Sequence, residues 1–337
     1  MPRLNAASQE AINRLRAFKP PPTSYDLVPL SRRAAVLLLL YADANGNLRV
    51  VLTIRASTLS SSLGYRMQAK LLYPVVSRPM PQQLNAAQTR KLHAKSRPGK
   101  SDSLSETPLQ TARREAHEEI GLPNLNQPLP HPFSVEHLCE IPCSLARTEL
   151  VVRPCVALLH TFDEKTGENA DPEITLIPRL DAREVAAVFT APFRDFLTLK
   201  PVGDARGKPG SQVEEAETGD EGWYRGVWNE FKGTQWRMHQ FFVPVDPGRV
   251  VKPRPHHEAQ EEAVHKLEQQ EERQHREHQD DSESIIRYRV FGMTARILVD
   301  VARIAYAAEP EFEHNTHSGD EELIARLRRR GKLGPKI

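Results

Sequence analysis

The stretch ARREAHEEIGL, Ala112 to Leu122, decides how this chain is read. Leu109, Ala112, Ala116 and Ile120 recur at steps of three, four and four, the period of a helix that buries one stripe. Thr107 is a good N-cap, Pro108 suits the first helical position and Gly121 suits the end. On the same helix Glu115, Glu118 and Glu119 stand three and four residues apart or side by side, so three carboxylates share one neighbourhood. Like charges so placed repel unless a cation compensates them. Arg114 is one such cation. A hard divalent ion such as Mg2+ is the other, because it takes carboxylate oxygens and keeps waters or substrate phosphates as its remaining ligands. For a bare REAHEE, a solvated charged face is the ordinary alternative.

Outward from this helix the chain alternates strands and helices. AAVLLLLY (Ala34 to Tyr41) reads as a buried strand, ADANGN as a turn, and LRVVLTIR (Leu48 to Arg55) as the returning strand of a hairpin. LVVRPCVALLH (Leu150 to His160) and WRMHQFFVPV (Trp236 to Val245) read as further strands. DAREVAAVFTAPFRDFL (Asp181 to Leu197) mixes a short strand and a following helix, and VFGMTARILVDVARIAY (Val290 to Tyr306) has the period of a packed helix. The expected fold class is therefore α/β (α+β), one mixed domain over residues 31–306 with expanded loops.

Residues 1–30 form a lead-in that ends in the extended, Pro-rich KPPPTSYDLVP, and residues 307–337 form a charged C-terminal tail. Insertions are expected at 65–97, 207–222 and 254–284. The first is basic and irregular, with a short helix near Gln82 to Ala94; the other two are rich in polar and charged residues and poor in apolar ones, a composition that stays disordered.

Composition narrows the function. A formal charge of +2 over 337 residues gives no argument for nucleic acid. The basic RLRRRGKLGPKI at the C-terminus has no interleaved aromatics and reads as a solvated helical tail. The longest apolar run is far short of a membrane span, and no signal-peptide pattern opens the chain. Cys139, Cys143 and Cys155 make no even framework and read as reduced thiols of an intracellular protein.

Glu106 stands eight residues before Arg114, in the turn that enters the helix. The resulting Glu-x7-Arg-Glu-Ala-x-Glu-Glu-x-Gly-Leu resembles the signature of the Nudix hydrolases. The resemblance implies an α/β/α sandwich with a mixed sheet, and a Mg2+ or Mn2+ site that clamps a diphosphate while water attacks phosphorus. It implies Glu115 and Glu119 as metal ligands, with Glu118 a third ligand or a base, and leaves the base open between Glu118, Glu119 and a later glutamate. It implies that Arg114 orients a glutamate, that Gly99 is the loop glycine near the metal, and that Glu106 is the upstream acid. Two departures stand out: six residues rather than five separate Gly99 from Glu106, and Pro98 replaces the first glycine of a common pair.

The flanks resemble the coenzyme A diphosphatase branch of that family. The matching stretches are LTIRASTLSSSLG (Leu52 to Gly64), PGKSDSLSETPLQTARREAHEEIGLP (Pro98 to Pro123), REVAAVFTAPFRDFL, WRMHQFF and VFGMTARIL. The branch implies cleavage of coenzyme A or acyl-coenzyme A to 3′,5′-ADP and a 4′-phosphopantetheine, with Arg55 and Lys100 facing the phosphates. Between Gly64 and Pro98, where the branch needs a few residues, this chain has Tyr65 to Arg97 and no resembling strand. Either this is a loop insertion, tolerable because closure entropy grows slowly with length, or it is translated intron sequence that has displaced the strand and one glycine. The alternative functions are a Nudix hydrolase of an ADP-sugar, NADH or a dinucleotide, and a catalytically impaired Nudix-fold binding module. The branch makes the peroxisome a candidate compartment, although the terminal PKI is not a Ser-Lys-Leu address and cytosol or mitochondrion fits the sequence as well.

Overall fold

The computed structural model describes residues 4–55, 68–70, 106–163, 165–170, 172, 185–201, 222–245, 250–251 and 287–335. The apolar run becomes strand β1 (Arg33–Ala42), whose eight inner residues are all buried. β1 lies parallel to β6 (Val151–His160), from Arg33 beside Val151 to Tyr41 beside Leu159. A parallel pair with both faces covered explains why these two segments read as continuous apolar runs rather than alternating ones. β6 is flanked by antiparallel β4 (Ser134–Glu140) and the two-residue β5 (Ser144–Leu145).

On the other side β1 turns through the hairpin into β2 (Leu48–Arg55). β7 (Val185–Pro192) runs antiparallel along β2 from Arg49 to Arg55 and takes one whole edge of it. The opposite edge is divided: β1 pairs with Leu48 to Val50, and the short β3 (Gln68–Lys70) pairs with Thr53 and Ile54. The sheet therefore forks at β2. One arm is β1-β6-β4; the other continues through β3 to β10 (Arg287–Phe291), β9 (Thr234–Pro244) and β8 (Tyr224–Phe231).

Helices cover both faces, giving a mixed α/β fold with a mixed sheet. Helix α1 (Ala6–Ala17) and helix α3 (Gly292–Tyr306) pack on one face, where Ile12, Leu15, Leu298 and Val301 meet Leu38, Leu40, Leu52 and Phe241. Helix α2 (Pro108–Ile120) covers the other face through Ala112, Ala116 and Ile120 against Leu37, Leu39 and Tyr41. Helix α4 (Glu321–Arg329) seats Leu323, Ile324 and Leu327 on a third cluster with Tyr25, Val28 and Leu145.

Several expectations need correction. The lead-in of residues 1–30 holds a helix that the sequence reading did not include, Ala6–Ala17, capped by the Asn5 side chain, which accepts from Ser8 N at 2.9 Å. The basic C-terminal segment is not merely solvated, because Leu323 and Ile324, with Leu327 one turn on, give α4 a buried stripe. The helix expected after β7 is a five-residue 3-10 stretch, Phe193–Leu197. Gln68–Lys70 form a strand inside the segment 65–97 that read as irregular. The rest of that segment, including the expected Gln82 to Ala94 helix, lies outside the described residues, as do 207–221 and 254–284.

A buried chain of polar groups joins β8, β9, α3 and the segment before α4. The Tyr224 hydroxyl meets His239 Nδ1 at 2.9 Å, His239 Nε2 meets His314 Nδ1 at 2.8 Å, and His314 Nε2 meets Asp300 Oδ1 at 2.9 Å. Burial, with the neighbouring His314 and Arg237, pulls the His239 pKa down to about 3. The folded form thus resists a proton that the unfolded chain accepts near 6.5. The contribution to stability is complete above that value and is lost as the pH falls toward 3, the loss reaching about 2 kcal/mol at pH 5. Urea unfolding at pH 7 and pH 5 checks this: His239→Gln is expected to lose that share of the pH dependence, and an unchanged dependence refutes it.

Candidate active site

Helix α2 begins where a capping box dictates. Thr107 Oγ1 accepts from Gln110 N at 3.2 Å, and Gln110 Oε1 accepts from Thr107 N at 2.8 Å. It ends at Gly121, whose φ of 71° is a left-handed conformation that only glycine adopts readily, with its N–H on His117 O at 3.0 Å. The cap fixes the chain's entry, so Glu106, one residue earlier, lies beside the second turn of the helix. There Arg114 Nε donates to Glu106 Oε1 at 3.0 Å.

Arg114 is the hub. Its Nη1 donates to Glu115 Oε1 in a short hydrogen bond, and it lies 3.6 Å from Glu118 Oε1. One guanidinium therefore links the upstream acid to two carboxylates of the helix. The three helix carboxylates are not equivalent: Glu115 is 1% exposed and Glu119 0%, whereas the Glu118 side chain is 40% exposed. Their difference follows from the helix itself. Glu115 and Glu119, four apart, flank the buried stripe of Ala112 and Ala116, while Glu118 points off its rim.

Arg113, which drew no attention in the sequence, is 3% exposed and donates to the Pro123 carbonyl. His117 Nδ1 reaches the Leu122 carbonyl at 3.2 Å. Both hold the turn that follows Gly121. One of two adjacent arginines in a charged helix gives no sequence signal for such a role.

Gly99 and Lys100 lie outside the described residues. Arg55 is the last residue of β2, beside Val185 of β7, and its side chain is likewise outside what is described. Among the described residues no three His, Cys, Asp or Glu side chains converge in metal-holding geometry. The donor chemistry nevertheless suits a hard ion. Two buried carboxylates on successive turns could supply oxygen ligands, and Mg2+ takes only one or two protein carboxylates when waters and phosphates complete its shell.

No family model matches the chain. Over 330 aligned residues it is 29% identical to peroxisomal coenzyme A diphosphatase 1 of Saccharomyces cerevisiae, across 94% of this chain and 82% of the yeast protein. Nearly end to end, the chain is related to a coenzyme A diphosphatase.

Proposed function

We propose that this protein hydrolyses the diphosphate of coenzyme A or an acyl-coenzyme A, releasing 3′,5′-ADP and the corresponding 4′-phosphopantetheine. The likeness to the yeast diphosphatase over 94% of the chain carries this reading. The Glu106–Arg114–Glu115 linkage supports it, because it organises carboxylates where a polyanionic diphosphate needs a cation.

Glu115 and Glu119 would hold Mg2+ or Mn2+, with Glu118 at the solvent edge as third ligand or base. Such an ion, when bound, withdraws charge from the phosphoryl oxygens and lowers the pKa of a bound water. Arg114, gripped by Glu106, fixes the Glu115 carboxylate before substrate arrives, so that little reorganisation remains for the reaction. Arg55 and Lys100 would meet the phosphates. The yeast relative is named as peroxisomal, and the peroxisome is the compartment we propose. Among the described residues no helix is long and apolar enough to cross a membrane.

Release of 3′,5′-ADP from coenzyme A by the purified protein, with Mg2+, with Mn2+ and with EDTA, tests the reading. Metal-dependent release is expected. A folded protein that leaves coenzyme A intact but cleaves NADH, an ADP-sugar or a dinucleotide overturns the substrate, and one that cleaves none of them acts on another diphosphate or has a dead site. In the same assay Arg114→Ala should lower kcat/KM by about 10²-fold, the cost of misplacing a reacting group. Arg114→Lys should recover little of it, since one ammonium cannot serve two carboxylates as a guanidinium fork does. Full activity of either variant removes Arg114 from the machinery.

A further inference from the structure

Helix α4 ends in an ordered turn rather than a frayed one. Its last residues are Arg328 and Arg329, and Arg330, Gly331 and Lys332 follow. Gly331 N donates to Arg328 O at 2.9 Å and Lys332 N to Leu327 O at 3.0 Å, the paired bonds of a Schellman cap, with Gly331 left-handed at φ 68°. Leu333, the next residue, is buried and rejoins Leu327 in the third apolar cluster. The turn is pinned on both sides, and Arg328, Arg329, Arg330 and Lys332 stand exposed on it.

A ring of contacts gathers two further turns around this cap. Arg326 Nη2 donates at 2.9 Å to the carbonyl of Lys232, in the tight turn between β8 and β9. Lys232 Nζ donates to Glu149 Oε1 at 2.7 Å, in the turn between β5 and β6, and Arg32 Nη1 donates to Glu149 Oε2 at 2.9 Å. Arg32 Nε returns to the Gly334 carbonyl at 2.9 Å. Arg147, exposed in the β5–β6 turn, belongs to the same corner. Glu149 is shared between Arg32 and Lys232, and Glu321 and Glu322 stand at the opposite end of α4. Among the described residues Arg147, Arg328, Arg329, Arg330 and Lys332 have no ion-pair partner. The exposed Glu230 of β8, two residues from the turn, offsets one of these charges at most.

The helix dipole favours cations in the last turn only, so it accounts for Arg328 and Arg329 but not for Lys332 or for Arg147 on another element. Like charges gathered without counterions suit a polyanion. Shape selects which one. A duplex is read by a helix or ribbon laid in a groove, and a single strand by aromatic rings on which bases stack. Here the apolar stripe of α4 faces the core, the cations stand on the tips of turns, and those turns carry no aromatic residue. Tips at one end of a sheet meet a plane. The corner also lies apart from the acidic helix: Arg32 immediately precedes β1, whereas α2 packs on Leu37, Leu39 and Tyr41, roughly 13 Å or more along that strand. We propose that this basic corner docks the protein on the surface of a bilayer that carries anionic lipid, through Arg328, Arg329, Arg330 and Lys332 with Arg147 beside them.

The test is sedimentation of the full chain with vesicles of phosphatidylcholine alone and of phosphatidylcholine mixed with phosphatidylserine, at low and at high salt. Binding is expected to the mixed vesicles only, and to weaken steeply as salt rises. Each cation near such a surface strengthens binding about fivefold, so Arg328→Gln, Arg329→Gln and Arg330→Gln together should weaken it about 10²-fold. The same three positions changed to Lys keep the charge and should retain most of the binding. Arg147→Glu, on a different element, should weaken it about tenfold or more, which keeps the test decisive if the Gln triple variant does not fold. A folded triple Gln variant or Arg147→Glu that binds like the wild type overturns the proposal. So does a wild type that binds neither vesicle, or both equally. Tighter binding to duplex or single-stranded DNA than to the mixed vesicles, lost in the same variants, assigns the corner to nucleic acid and overturns the bilayer.

Discussion

Glu119→Gln is expected to lower kcat/KM on coenzyme A by at least about 10²-fold, since even outer partners of a metal site cost 10- to 100-fold when removed. The substitution keeps the shape and volume of the side chain and removes only the anionic oxygen that a hard cation requires. Glu119 is 0% exposed and stands one turn from Glu115, whereas the Glu118 side chain is 40% exposed. That location makes a second readout available. Mg2+ should raise the Tm of the wild type, because a ligand of the native state stabilises it by mass action. The variant should lose that increment while its Tm in EDTA changes little, because the substitution keeps the side chain's shape and volume. Turnover near wild type together with a lower Tm in EDTA would make Glu119 a structural group instead.

The legible parts of this protein are those whose cause is local. The Thr107–Gln110 box, Pro108 and Gly121 fix the ends of α2 within one short segment, and the apolar runs of β1 and β6 announce strands covered on both faces. The β1–β2 hairpin follows from its turn residues. Other elements are hidden because their burial is thin. β8 lies at the end of the sheet with most of YRGVWNEF exposed, so no alternation marks it. In α4, Leu323, Ile324 and Leu327 are outnumbered by charges whose composition resembles a solvated tail. The candidate site divides in the same way. The family resemblance points to Glu106, Arg114, Glu115, Glu118 and Glu119, whereas which of the carboxylates are buried depends on the sheet beneath them.

Arg296→Met is expected to destabilise the protein by about 3–5 kcal/mol, the range for removing one partner of a buried ion pair. Arg296 is 1% exposed; its Nη1 lies 2.7 Å from Asp320 Oδ1 and its Nη2 donates to the Gly319 carbonyl at 2.7 Å. Asp320 also accepts from Leu145 N at 2.8 Å, and Gly319 N donates to Asp300 Oδ2 at 3.1 Å. α3, the β5 strand and the start of α4 therefore share one polar knot. Gly319 closes it in a left-handed conformation with φ of 69°, where a Cβ would meet the Cys143 carbonyl oxygen at 2.8 Å. Removing the guanidinium leaves Asp320 charged and buried without its cation, a cost much larger than the net worth of the pair. Asp320→Asn retains an acceptor for Leu145 N and removes that charge, so the double variant should be less destabilised than the two single effects added together. Denaturant melts of the two single variants and the double close the cycle. Additive losses would show that the knot contributes through packing alone, and a small loss for Arg296→Met would show that water reaches Asp320 once the arginine is gone.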